Sequence, residues 1–262
     1  MDRKTLVSHI RNRKSCLCVG LDTDPSKLPA GMDVLGFNKA IIDATREYCV
    51  AYKPNLAFYE VMGAKGWDIL AETVEYIGKE HFTIADAKRG DIGNTSDYYA
   101  RTFFDTYGFD SVTVAPYMGR DSVDPFLKYS GKWAIVLGLT SNPGAGDFEM
   151  LESAGRPIYE HVLEKTARWG SADNTMFVVG ATRAESFSSI RRVVPQHFLL
   201  VPGVGAQGGS LIEVMTQGVN NDVGLLINAS RSILYASSGP DYAIAAAREA
   251  RAVQQEMSMF IA

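Results

Sequence analysis

An alternation repeated along all 262 residues most constrains the fold of this chain. Apolar, β-branched runs at 15–21, 49–53, 82–86, 111–116, 133–139, 176–180, 198–202 and 224–228 are each followed by a polar turn and a helix-period segment. Hydrophobicity within the runs is continuous rather than alternating, as expected for parallel strands covered on both faces. Between them, Phe37, Ala40, Ile41 and Ala44 form one apolar stripe, and Trp67, Leu70, Val74 and Ile77 a second. Ile158, Val162, Lys165 and Trp169 predict a third, with the lysine stem at its edge, and Leu211, Val214 and Met215 a shorter one. The alanine-rich segment 241–259 predicts a last helix after Gly239-Pro240. Eight strand-helix units in a chain of this length predict an α/β fold, a (β/α)8 TIM barrel forming a single domain over 1–262. An open doubly wound sheet is the alternative, but Gly20-Leu21-Asp22-Thr23 stands where its glycine fingerprint would follow the first strand.

In such a barrel the site lies where strands end and βα loops begin, so polar residues there carry the functional signal. The third strand supplies the densest one, Asp86-Ala87-Lys88-Arg89-Gly90-Asp91-Ile92-Gly93-Asn94-Thr95. Residues two apart share a strand face, so Asp86 and Lys88 should emerge side by side, with Asp91 and Thr95 just beyond, bent back or across to another subunit. Carboxylates on both sides of an ammonium keep it protonated and in place. Asp22 ends the first strand, Lys53-Pro54-Asn55 the second, and Thr140-Ser141-Asn142-Pro143-Gly144 the fifth.

The last two loops predict an anion site. The run 202–209, Pro-Gly-Val-Gly-Ala-Gln-Gly-Gly, lets backbone N–H groups approach a phosphate, and Gln207 adds a neutral donor. Arg231, after the eighth strand, adds a guanidinium suited to a dianion. The plainer alternative is a tight glycine turn with Arg231 paired to a surface acid. The segment 142–156 is long for a βα connection and reads either as a lid or as a helix start capped by Ser141 or Asn142.

Composition narrows the function classes. A net charge of −4 argues against a broad nucleic-acid surface but not against one small anion. No apolar run approaches a membrane span, and the polar start Met1-Asp2-Arg3-Lys4-Thr5 does not read as a signal peptide, so the expected compartment is the cytoplasm. Cys16, Cys18 and Cys49 read as core residues rather than a disulfide framework. His81 and His197 fall at strand beginnings, and His9 and His161 on helices, so no histidine set converges on the barrel mouth and no metal site is expected.

With these residues in this order, the chain resembles the orotidine 5′-monophosphate decarboxylase family, nearly end to end from Asp22 to Arg231. The family's Asp-x-Lys-x-x-Asp pattern is present as Asp86, Lys88 and Asp91, with its Ile92-Gly93-Asn94-Thr95 extension. Arg89, Gly90 and the longer 142–156 segment depart from other members. The resemblance implies a cofactor-free carboxy-lyase acting as a homodimer on a small-molecule substrate. It makes Lys88 the proton donor, oriented by Asp86, with Asp91 and Thr95 entering the neighbouring subunit's site. Asp22 and Lys53 would bind ribose hydroxyls, Lys53 also joining the charged network. Ser141 would contact the pyrimidine amide, and Gln207 and Arg231 the phosphate. Two alternatives stay open on sequence alone: a magnesium-dependent phosphosugar aldolase or decarboxylase of the same superfamily, and a non-catalytic phospholigand-binding barrel.

Overall fold

The computed structural model describes residues 1–204 and 209–262. Eight parallel strands close into a barrel: β1 (Leu17–Gly20), β2 (Ala51–Lys53), β3 (Phe82–Arg89), β4 (Ser111–Val114), β5 (Trp133–Leu139), β6 (Thr175–Val179), β7 (Phe198–Pro202) and β8 (Leu225–Ala229). Each pairs with its neighbours in chain order, and β8 closes on β1 with Leu17 opposite Ile227 and Val19 opposite Ala229. β1, β4, β6 and β8 are buried at every residue, the physical reason their sequences show no polar alternation.

The helices shield the barrel from outside. In Val34–Thr45 the buried face is Val34, Phe37, Asn38, Ile41, Ile42 and Thr45, so one fully buried asparagine sits within the expected apolar stripe. Helix Ile158–Ala167 departs from expectation. Its buried residues are Tyr159, Leu163 and Thr166, one position on from the Ile158–Val162 stripe, and Lys165 is exposed. Tyr159 supplies more apolar area than Ile158, and that rotation buries it against the barrel. The connection after β5 holds a short helix, Ala145–Phe148, and a two-stranded antiparallel pair, Glu152–Ser153 with Arg156–Pro157. No helix among the described residues is long and apolar enough to cross a membrane.

Strand periodicity fixes what fills the interior. Phe82, Trp133 and Phe198 begin β3, β5 and β7 and meet edge to face, with ring centroids 6.2 Å apart in both contacts. Trp133 Nε1 donates to the Met1 carbonyl at 2.9 Å, so the chain start and helix Arg3–Arg13 cover this base. Buried charge there is met by backbone. Arg191 donates to the carbonyls of Gly218, Val194, His197 and Gly224. Arg3 donates to those of Ala172 and Gln196 and to Asp222 at 3.0 Å. Burial, with Arg3 nearby, lowers the Arg191 guanidinium to about 10.

His81 and His197 lie at this same end, and burial pushes both imidazoles down to about 4. The three cysteines are buried free thiols, and burial raises those of Cys16 and Cys49 to about 12.

Candidate active site

At the other end the strands open into a cavity of about 590 Å³. Asp22, Lys53, Asp86, Lys88, Ser141 and Arg231 all line it. Period two carries β3 from Phe82 through Ile84 to Asp86 on the inward face, so the carboxylate tops the same column that fills the base.

Asp22, Lys53, Asp86 and Lys88 form a row of alternating charge. Lys53 Nζ lies 2.8 Å from Asp86 Oδ2 and 4.0 Å from Asp22 Oδ1, and Lys88 Nζ lies 2.5 Å from Asp86 Oδ1. Burial would raise the Asp86 carboxyl, but Lys53 and Lys88 outweigh it and hold the group well below the usual carboxylate range. Burial would likewise depress Lys53, and Asp86 and Asp22 outweigh that, leaving its ammonium above the ordinary lysine range. Within this chain, then, two lysines bracket one carboxylate, with the second carboxylate at the far end of the row.

Lys88 departs from regular strand geometry. The β3–β4 register slips between Ala85 and Arg89, and Lys88 takes φ of +47°, a left-handed conformation costing an L-residue about 1–2 kcal/mol. Its backbone N–H goes to Thr113 Oγ1 at 2.9 Å. The ammonium folds back onto the carboxylate two residues earlier, while the side chain stays about half exposed toward the cavity.

Asp22 is held from behind. Tyr59 donates its hydroxyl to the Leu21 carbonyl at 3.0 Å, and Thr23 Oγ1 donates to Asn38 Oδ1 at 2.6 Å. Asn38 Nδ2 donates in turn to the Tyr59 hydroxyl at 3.0 Å, so one buried asparagine grips both neighbours of Asp22. Tyr235 donates to the Asp22 carbonyl at 3.3 Å and accepts from the Asp24 N–H at 2.8 Å. Asp22 Oδ1 itself is buried with no hydrogen-bond partner among the described residues. A buried carboxylate oxygen fixed this way is an acceptor poised for a donor in the cavity.

The opposite wall is neutral. Leu137, Val178 and Leu200 face the cavity, beneath the loops after β5, β7 and β8. Ser141 sits so close to Gly180 that a Cβ there would lie 2.7 Å from the serine Cβ, so glycine is required for this approach. Glu149 pins the loop, accepting from Thr140 N at 2.7 Å and Thr140 Oγ1 at 2.8 Å. Arg231 reaches the rim beside Gly203, Val204, Ser230 and Ser232. Gln207 lies outside the described residues. Asp91 and Thr95 do not line the cavity of their own chain; Asp91 Oδ1 accepts from the Ile92 N–H at 2.7 Å, and Thr95 is exposed on helix Gly93–Arg101.

Comparison with known proteins places this geometry. The profile described as the Orotidine 5′-phosphate decarboxylase / HUMPS family matches residues 15–247. Proteins named orotidine 5′-phosphate decarboxylase from Phocaeicola vulgatus and Flavobacterium johnsoniae are each 55% identical to the chain. The alignments cover 98% of this chain and 98% of the former, and 100% of this chain and 98% of the latter. The chain belongs to the orotidine 5′-phosphate decarboxylase family. Solved structures agree with that membership. A Leishmania donovani OMP decarboxylase superposes with a TM-score of 0.83 at 36% identity, over 97% of this chain and 99% of its own. A Toxoplasma gondii structure titled putative orotidine-monophosphate-decarboxylase gives 0.87 at 33% identity, over 98% of both chains.

Against this family background, sequence reasoning missed three contributors. Thr113 lies in a run, Ser111-Val112-Thr113-Val114, in which β-branched threonine reads as an ordinary strand former. Asn38 hides in an apolar helical stripe. Tyr235 falls in a segment with no periodic signal, and only the folded loop shows its hydroxyl under Asp22 and Asp24.

Proposed function

We propose that this chain converts orotidine 5′-monophosphate to uridine 5′-monophosphate and carbon dioxide in pyrimidine biosynthesis, in the cytoplasm, with Lys88 as proton donor and no cofactor. The observation that carries this reading is the charge row ending in Lys88 at a cavity whose far wall is apolar. Breaking the bond to the carboxylate leaves its electron pair on the ring carbon as carbon dioxide departs. A lysine ammonium beside that carbon stabilises the developing charge and then transfers a proton to it. Asp86 stays ionised, because the two lysines hold its carboxyl low, and so serves to aim the ammonium rather than to supply the proton.

The other residues bind. Arg231 holds the phosphate, with Gln207 assigned to the same role. Asp22 offers the oxygen that carries no hydrogen bond among the described residues, and Lys53 its ammonium, to ribose hydroxyls. Ser141 meets the pyrimidine amide. Phosphate binding far from the reacting carbon can be used to order the loops, so removing it should slow turnover as well as weaken binding.

Asp91 and Thr95 complete the site of the other subunit in a homodimer. This part of the proposal is supported by their position outside their own chain's cavity and by apolar surface around them. Ile92 and Tyr98 are exposed on the same segment, and the exposed Met118 has its methyl beside Gly90.

The deciding measurement is ultraviolet absorbance of orotidine 5′-monophosphate with purified protein in excess EDTA, beside Lys88→Ala. Loss of the orotate chromophore with wild type alone is expected. Retention with both folded proteins would overturn the proposal, and loss only after magnesium is restored would favour a phosphosugar-type, metal-assisted barrel. Mixing Asp91→Ala with Lys88→Ala, each inactive alone, should restore part of the activity through heterodimers. No recovery after verified subunit exchange would remove the shared site.

A further inference from the structure

Lys88 and Asp86 meet through side chains, and a third residue joins them by a second route. Thr113 stands on β4, 1% exposed, with its hydroxyl facing the cavity between the two. Its Oγ1 accepts the Lys88 backbone N–H at 2.9 Å and lies 3.1 Å from Asp86 Oδ1. A threonine hydroxyl has one proton and two lone pairs, so one orientation satisfies both contacts: it accepts from Lys88 and donates to Asp86. In β3 the N–H groups of Phe82 and Asp86 go to the Val50 and Pro54 carbonyls on the β2 side, whereas past the register slip between Ala85 and Arg89 the Lys88 N–H turns to the Thr113 side chain on β4. The same slip accompanies the left-handed φ of +47° at Lys88. A strained conformation persists only where its surroundings over-determine it, and this hydroxyl holds the backbone at that residue.

We propose that Thr113 is a positioning residue, its hydroxyl clamping the Lys88 backbone and the Asp86 carboxylate together so that the ammonium points at the reacting carbon. The inference rests on the decarboxylase reading above. Thr113 need not touch substrate. It fixes the distance between a general acid and the group that aims it, and small errors in such placement are costly because only the productive geometry transfers the proton.

The role separates from a packing role by its hydroxyl. Thr113→Val keeps the shape of the side chain and removes both hydrogen bonds. Thr113→Ala removes them and some volume, and Thr113→Ser keeps them. Steady-state decarboxylation of orotidine 5′-monophosphate, with thermal unfolding of each variant, provides the test. The valine and alanine variants should lose about 10- to 100-fold in kcat, with KM within about threefold of wild type, and serine should stay within about threefold in both. Wild-type kcat in either hydroxyl-free variant, an equal fall in the serine variant, or a loss confined to KM would overturn the assignment. If valine does not fold, alanine against serine decides. If neither hydroxyl-free variant folds while serine is active, the hydroxyl holds the barrel rather than the pair, and the proposal fails. Inactive wild type would instead overturn the decarboxylase reading, so the two failures are distinct.

Discussion

At the base of the barrel Arg191 is surrounded by backbone carbonyls that absorb its donors, whereas at the mouth Lys53 and Lys88 face carboxylates across a cavity. Both ends bury charge, and the difference lies in what remains unused. At the base Arg191 joins Val194, His197, Gly218 and Gly224 through their carbonyls, that of Gly224 also accepting from the Leu199 N–H. The mouth keeps Asp22 Oδ1 without a hydrogen bond among the described residues and a half-exposed ammonium on Lys88. Saturated charge stabilises; unsaturated charge held rigidly from behind is available for chemistry.

Lys88→Gly should sharpen this contrast most. Turnover is expected to fall by at least about 10³-fold, since the proposed proton donor is gone. Stability should change little, because glycine adopts a φ of +47° without the steric cost that lysine carries, which offsets the lost pairing with Asp86. A melting temperature several degrees below wild type would show that Lys88 also supports the fold and would blur the division between the ends.

Lys53→Met comes next, and it should affect both properties. The variant leaves Asp86 and Asp22 buried without the cation between them, a loss on the order of 3–5 kcal/mol at neutral pH. In wild type the Asp86 carboxyl is held low, so its stabilisation persists above the ordinary carboxylate range and is lost only as pH falls through its depressed value. In the variant Lys88 remains but Lys53 no longer lowers the carboxyl, so its value rises from that of wild type and protonation on acidification relieves the lost pairing. The stability gap, measured by denaturant unfolding, should therefore narrow from about pH 7 to about pH 4. A constant gap would mean that packing, not charge, is what Lys53 contributes.

Arg191→Met is the smallest of the three and probes the base. Several carbonyls lose their donor, which should cost about 2–3 kcal/mol, or roughly 5–10 °C in Tm for a chain of this size. The kcat/KM for orotidine 5′-monophosphate should stay within about twofold. A larger kinetic effect would break the separation by showing that strain at the base reaches the mouth.

Much of this was legible in the sequence. All eight strands, and the convergence of Asp22, Lys53, Asp86, Lys88, Ser141 and Arg231 on one cavity, follow from period-two strands and the rule that sites form at their ends. The missing parts share a cause: they depend on register or rotation, which sequence pattern does not set. Thr113 matters only because β3 slips against β4, and nothing in Ala85-Asp86-Ala87-Lys88-Arg89 announces a bulge. Asn38 matters only because helix Val34–Thr45 presents it to Thr23 and Tyr59. The shift of the buried face from Ile158 and Val162 to Tyr159 and Leu163 is a rotation of the same kind.

The closing seam between β1 and β8 joins the two ends of the chain, and the cavity straddles it, with Asp22 on one side and Arg231 on the other. During synthesis the β1 edge must wait, unpaired on that side, until β8 has left the ribosome. The cavity is thus complete only once β8 has joined β1. A nascent chain arrested before β8 would hold Asp22, Lys53 and Lys88 yet have no competent pocket, which makes ligand capture a readout of barrel closure during translation.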